Sequence, residues 1–207
     1  MAIEPNDKGG GKMKKHICCL IFGLFLLCSC DSQKVSSEIP FYVCKRYGAP
    51  VSYGEGCHPG IDFEIGPETP IIAATEGKVV AVGDLEPTVG KGSGIIVRVQ
   101  NAQHFDLIYA RLSKVYVKED QILRRGQLIG LSGAISDGFI HLHFGICKIG
   151  GNSQQYSQTF DPNKFWLDGK PQCFDPNADY SIFFREAITL PIACRAYAKE
   201  LIAAAEQ

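Results

Sequence analysis

His141-Leu142-His143-Phe144-Gly145 sets two histidines two residues apart among apolar neighbours. That alternation predicts a β-strand, because successive strand side chains point to opposite faces and residues i and i+2 share one. His141 and His143 then project side by side, with Leu142 and Phe144 turned the other way. Two imidazoles so placed can bind one metal ion, or one can bind metal while the other moves a proton. They can also be hydrogen-bonded structural histidines, and the pair alone does not separate these readings.

Outward from this strand the chain reads as short β-runs. Residues 61–65 alternate apolar and acidic, as a half-buried strand does. Residues 69–74 and 77–83 follow, and residues 95–99 and 105–110 predict a hairpin across 100–103. Residues 127–130 and 140–149 add two more strands. Short strands with Gly-rich turns at this frequency predict a mostly β protein, a compact antiparallel sandwich or open barrel-like sheet. Residues 40–57 carry Tyr47-Gly48-Ala49-Pro50 and Gly54-Glu55-Gly56, which is loop chemistry. From Pro191 onward the tail is Ala-rich, and proline suits a helix's first turn, so a short C-terminal helix is expected there.

At 207 residues the chain accommodates one moderate domain. A net charge of −1 without a basic stripe argues against a nucleic-acid partner. Residues 1–12 are polar and Gly-rich and read as an extension from a misassigned start. Met13 is followed by Lys14, Lys15 and an apolar run over residues 17–28. That is the pattern of an export signal, and the run is shorter than the roughly 20 residues of a membrane span. Leu27-Cys28-Ser29-Cys30 resembles the lipobox of bacterial lipoproteins. The resemblance implies a signal peptide over 13–29, a lipidated Cys30 as membrane anchor and a polar tether over 30–43. The expected address is the bacterial periplasm or cell envelope. Beyond the signal and anchor remain Cys44, Cys57, Cys147, Cys173 and Cys194. In an exported chain disulfides are allowed, and Cys44–Cys57 and Cys173–Cys194 are the pairs nearest in sequence. Cys147 is expected to be buried.

His58-Pro59-Gly60-Ile61-Asp62 places an imidazole and a carboxylate where the chain enters a strand. A catalytic zinc site takes three protein ligands and leaves one position open. His58, Asp62 and one histidine of the later pair supply that count, with the other histidine left over. Alternatively, His58 and Asp62 merely pair with each other.

The segments together resemble the lysostaphin/LytM-type zinc metallopeptidases that cut peptidoglycan cross-bridges, over about residues 57–166. The likeness is carried by His58-Pro59-Gly60-Ile61-Asp62 (HxGxD), by residues 69–74 leading to Gly77-Lys78-Val79-Val80, and by Gly126-Gln127-Leu128-Ile129-Gly130. It closes on His141-Leu142-His143-Phe144 and Asp161-Pro162. It implies the LytM-type (duplicated-hybrid-motif) fold with a substrate groove, and Zn2+ held by His58, Asp62 and His143. His141 matches the catalytic histidine that accepts a proton from water. The family's second catalytic histidine lies in a Tyr-x-His-Leu-Ser segment, but the matching residues here are Tyr109-Ala110-Arg111-Leu112-Ser113. Arg111 is always charged and cannot act as a base, which leaves it the role of a hydrogen-bond donor to a developing oxyanion. His104, across the hairpin arm, is an alternative source of an imidazole. The implied organisation is a peptidase domain over 44–166 and a C-terminal extension over 167–207. The implied activity is zinc-dependent hydrolysis of peptidoglycan stem peptides or cross-links. The alternative is a non-catalytic relative that binds cell wall or regulates a cell-wall amidase, an outcome that loss of the histidine at 111 favours.

Overall fold

Strand β6, Phe105–Val115, is the longest strand among the described residues and joins two stretches of sheet. The computed structural model describes residues 41–84, 94–101, 105–133, 139–181 and 187–205. The expected leader, Cys30, most of the tether, His104 and residues 134–138 lie outside the described residues. The other strands are β1 (Tyr42–Lys45), β2 (Ile61–Glu64), β3 (Pro70–Ile72), β4 (Gly77–Asp84), β5 (Ile95–Gln100), β7 (Ile122–Leu123), β8 (Leu128–Ser132), β9 (His141–Lys148) and β10 (Thr159–Phe160). Among the described residues the α-helix, α1, spans Arg195–Ala205. All strand pairs are antiparallel, in the order β1-β2-β9-β6-β5-β4-β7, with β10 on β9. β3 pairs with β8, and β8 pairs with the C-terminal part of β6. The architecture is the expected mostly β antiparallel fold, an open sheet and not a closed barrel.

The N-terminal half of β6 pairs with β9 as far as Ala110↔His143, and its C-terminal part pairs with β8 from Leu112↔Ser132. Residue 111 sits at that changeover. Beneath it lies the core, where Tyr109, Phe144 and Leu112 are fully buried and Phe144 stacks on Trp166. The Tyr109 hydroxyl accepts a hydrogen bond from the Ala74 backbone N–H at 2.9 Å, which satisfies both groups where water is excluded.

Three local expectations are corrected. The stretch expected to be loop contains β1, which pairs with β2 through a bulge at Cys44. β2 is not half-buried: Ile61, Asp62 and Phe63 are all buried, because β1 and β9 flank the strand and His58 and His143 cover the Asp62 face. The helix begins at Arg195 and not at Pro191. Residues 191–193 run extended beside β3, with Ile72 N–H donating to Pro191 O and Ala193 N–H donating to Pro70 O. Those backbone groups are committed to the sheet and are unavailable for a helix's first turn.

The chain after Trp166 shares the same core through Leu190 and Ile192, both fully buried. The Cys173–Cys194 disulfide forms as expected and closes a 21-residue separation just before α1. Tyr197 of that helix donates its hydroxyl hydrogen to Gly126 O and packs against Phe174.

Candidate functional site

Antiparallel pairing puts Asp62 of β2 directly opposite His143 of β9, and His143 directly opposite Ala110 of β6. Residues opposite one another on neighbouring strands share a face, so these three form one row across the sheet. His58 is brought over the row by the turn before β2, which is tied to the β1 loop by Gly48 N–H to His58 O and His58 N–H to Ala49 O. Gly60 makes the turn possible. A Cβ there would lie 2.5 Å from Phe144 O and 2.8 Å from Cε1 of His143, closer than real atoms approach. The glycine of the HxGxD segment is therefore the space in which the His143 ring sits.

The three side chains converge. His143 Nδ1 lies 2.8 Å and His58 Nε2 3.1 Å from Asp62 Oδ1, and the two ring nitrogens are 3.2 Å apart. His58 directs its Nδ1 at the carbonyl of Arg46, 3.1 Å away. A proton there leaves Nε2 with a lone pair facing the carboxylate and the second imidazole. Three electron-rich atoms at such spacing need a shared cation, or shared protons in its place. For a tetrahedral zinc with bonds of about 2.0–2.1 Å, neighbouring ligand atoms stand roughly 3.3 Å apart, so this triangle needs to open only slightly. His58, Asp62 and His143 thus form a group that can hold a metal ion. Burial pushes the Asp62 carboxyl up, but the His143 and His58 rings against it outweigh that and hold it below the usual carboxylate range.

His141 stands beside this triangle and outside it. Its Nε2 is 3.8 Å from Asp62 Oδ2, and its Nδ1 faces Phe139 O at 3.4 Å. Burial drives its pKa down to about 4, only partly offset by the Asp62 charge, with the charges of Arg111 and His143 adding to the lowering. At neutral pH it is a neutral imidazole. With its Nδ1 proton directed at Phe139 O, its Nε2 is a proton acceptor turned toward the cluster. The Phe139 ring packs 5.1 Å from it and is itself substantially exposed.

These groups line a cavity of about 410 Å³ whose other walls include Tyr53, Gly54, Ala110, Arg111 and Gln154. Ala110 and Arg111 are consecutive, and regular strand alternation would turn one of them away. Two features bring both in. Between the pairs Ile95↔Leu112 and Val97↔Tyr109, β6 has one more residue than β5, which makes a bulge at 110–111. Arg111 also has a left-handed φ of 71°, an uncommon and costly conformation for a residue with a side chain. The neighbours in the segment fix this geometry: Tyr109 and Leu112 are buried in the core, and Ser113 donates its hydroxyl to Ser132 O at 2.8 Å.

The structure thus brings together all five residues singled out from the sequence, His58, Asp62, Arg111, His141 and His143. Sequence reasoning missed Tyr53 and Gln154, on irregular segments without a periodic signal, and the Arg46 carbonyl, which no side-chain motif reveals. The Cys44–Cys57 disulfide is a further correction, since the two do not join. Cys44 is the extra residue of the β1 bulge, and its thiol donates to Asp62 O at 3.3 Å, while Cys57 bridges back to Pro50 through its backbone. Cys147 is buried as expected, and burial pushes its thiol up to about 11.

The sequence profile of Peptidase family M23 matches residues 56–158, which contain every residue of the cluster. Lipoprotein YgeR of Escherichia coli is 32% identical over 127 residues, covering 60% of this chain and 46% of that protein. Peptidoglycan DD-endopeptidase ShyA of Vibrio cholerae is 35% identical over 98 residues, 46% of this chain and 21% of that one. The chain therefore spans less than half the length of these curated relatives. Among solved structures, the catalytic domain of lysostaphin from Staphylococcus simulans superposes with a TM-score of 0.50 at 31% identity. That match covers 58% of this chain and 88% of the catalytic domain. Motif, fold and likeness agree, and the chain belongs to peptidase family M23.

Proposed function

We propose that this M23 peptidase is a zinc-dependent endopeptidase acting on peptide bonds of peptidoglycan stem peptides or cross-links. The observation that carries the reading is the triangle of His58 Nε2, Asp62 Oδ1 and His143 Nδ1 with a fourth, neutral imidazole beside it. His58, Asp62 and His143 would hold the ion. Zinc bound there would supply Lewis acidity, lowering the pKa of water and polarising an amide carbonyl. His141 is the general base: its Nε2 takes a proton as water adds to the carbonyl carbon and returns it to the leaving amine. Its Nδ1 contact with Phe139 O keeps the ring turned the right way. Arg111 cannot exchange protons, and donates hydrogen bonds to the carbonyl oxygen as that atom gains charge.

The substrate class is supported by relatives whose names specify it, ShyA as a peptidoglycan DD-endopeptidase among them. An exported, membrane-anchored location fits the lipobox-like segment ending at Cys30 and the lipoprotein YgeR. The second reading is a degenerate wall-binding protein or regulator of a cell-wall amidase, which Arg111 in place of a histidine favours. Against it stands the intact cluster, since a scaffold has no chemical need for four converging ionisable groups. Purified sacculi incubated with wild-type protein and His141→Ala separate the two. Muropeptide release by wild type, falling by about 10²–10⁴ in the variant, supports the peptidase. Binding to sacculi without release by either protein supports the regulator.

A further inference from the structure

Two segments outside the named strands supply one wall of the cavity, through Tyr53 and Gly54 on the first and Gln154 on the second. Each segment is closed by its own bonds. In the first, Val51 N–H donates to Gly56 O and Gly56 N–H to Tyr53 O, both at 3.1 Å. In the second, Gln154 N–H donates to Asn152 Oδ1 and Asn152 N–H to Gln158 Oε1, both at 2.9 Å.

Glu55, at the tip of the first turn, joins the two across 102 residues of sequence. Ser157 N–H donates to Glu55 Oε2 at 2.7 Å, and the Ser157 hydroxyl donates to Oε1 at 2.8 Å. These bonds, the backbone one first, hold the Glu55 carboxyl below its ordinary range, and bonds to an ionised acceptor are the short, strong kind. Beside them a Cβ on Gly54 would lie 3.3 Å from Gln154 O, so the two backbones pass in close contact. Further back, the Tyr47 ring packs 4.7 Å from Tyr156 and its hydroxyl donates to Thr159 O.

The histidine–aspartate cluster is held by other contacts. His58 is tied to Arg46 O and Ala49 O, while Asp62, His141 and His143 stand on β2 and β9. Releasing Glu55 from Ser157 therefore frees the Tyr53–Gln154 wall and leaves the cluster in place.

We propose that Glu55 is a positioning residue, whose carboxylate clasps Ser157 and so holds Tyr53 and Gln154 together as one wall against which substrate binds. This rests on the peptidase reading above and deepens it. Each segment, once released, moves by itself and must be ordered again when a ligand binds, a cost that falls on binding and not on the chemical step.

The test uses zinc-loaded, full-length wild type, Glu55→Ala, Ser157→Thr and the double variant Glu55→Ala/Ser157→Ala. Initial rates of muropeptide release are measured against sacculus concentration, and hydrogen–deuterium exchange is followed by mass spectrometry. Glu55→Ala should raise KM by about three- to fivefold with kcat within about twofold, at unchanged zinc content and melting temperature. Exchange should quicken over residues 51–56 and 154–158 and stay as in wild type on β2 and β9. Ser157→Thr, which keeps both donors, should match wild type, and the double variant should be no worse than Glu55→Ala because both lose the same contact. Unchanged exchange in the two segments overturns the proposal. So does quickened exchange at unchanged KM, or a fall in kcat that equals the loss in kcat/KM. Failure of the peptidase reading shows separately, as wild-type protein that releases nothing. Co-sedimentation with sacculi then takes the place of KM, and equal binding by wild type and Glu55→Ala overturns the clasp.

Discussion

The β2–β9 wall of the cavity holds its functional side chains in mutual contact, whereas the β6 wall presents a single guanidinium on a left-handed residue. On the first wall each group is fixed by another: Arg46 O orients His58, Asp62 Oδ1 sits against both histidines, and Phe139 O orients His141. Arg111 has no such partner among the described residues and is positioned by the backbone alone. The contrast separates two kinds of specification. A metal-type cluster needs several residues to agree in distance, so changing one member disrupts the rest. A lone side chain on a bulge can be exchanged while its scaffold stays intact, which is where a family member can alter its chemistry.

Breaking the first wall should have the largest effect. Asp62→Ala removes the oxygen shared by both histidines, and zinc affinity should fall by more than the roughly 10–100-fold that losing an outer hydrogen bond costs. Metal analysis after dialysis, alongside circular dichroism to confirm folding, measures this. Zinc retained at one per chain would show that Asp62 is not a ligand.

Acid should probe the same wall through His141. An unfolded histidine gains its proton near pH 6.5, and the folded one only near pH 4. Between those values the unfolded chain binds more protons, so stability falls as pH drops from about 6.5 to about 4. For metal-free protein the loss should reach up to roughly 3 kcal/mol, and His141→Ala should flatten it. Urea melts across that window read the slope, and an identical slope in the variant would assign it to other groups.

A smaller effect is expected from Gly60→Ala. The added methyl meets the Phe144 carbonyl and the His143 ring, and should cost about 1–3 kcal/mol while displacing a ligand histidine. Thermal melts and zinc titration together test it. Weakened zinc binding at unchanged stability would mean that the ring yields more easily than the backbone.

Much of the first wall was legible in the sequence because period-2 alternation carries real geometry. His141 and His143 share a face for that reason, and Asp62 follows from the same logic on β2. The placement of Arg111 was not legible in that way: the residue name and its neighbours indicate a strand, and only the pairing register reveals the extra residue that turns it inward. β1 escaped notice because it is short and interrupted at Cys44, and Pro191 misled because β3 claims the backbone groups a helix would use. In each case a long-range partner decided the outcome. The Cys44–Cys57 expectation failed similarly, since nearness along the chain says nothing about which way a bulged residue points.

The most direct test of the central claim compares wild type and Arg111→His for muropeptide release from purified sacculi, both loaded with zinc. If the β2–β9 wall carries the chemistry and Arg111 serves as a donor, wild type releases products and the variant shows no gain that depends on a new base. Release by Arg111→His alone, with an inert wild type, would contradict the account and identify the natural protein as a binder.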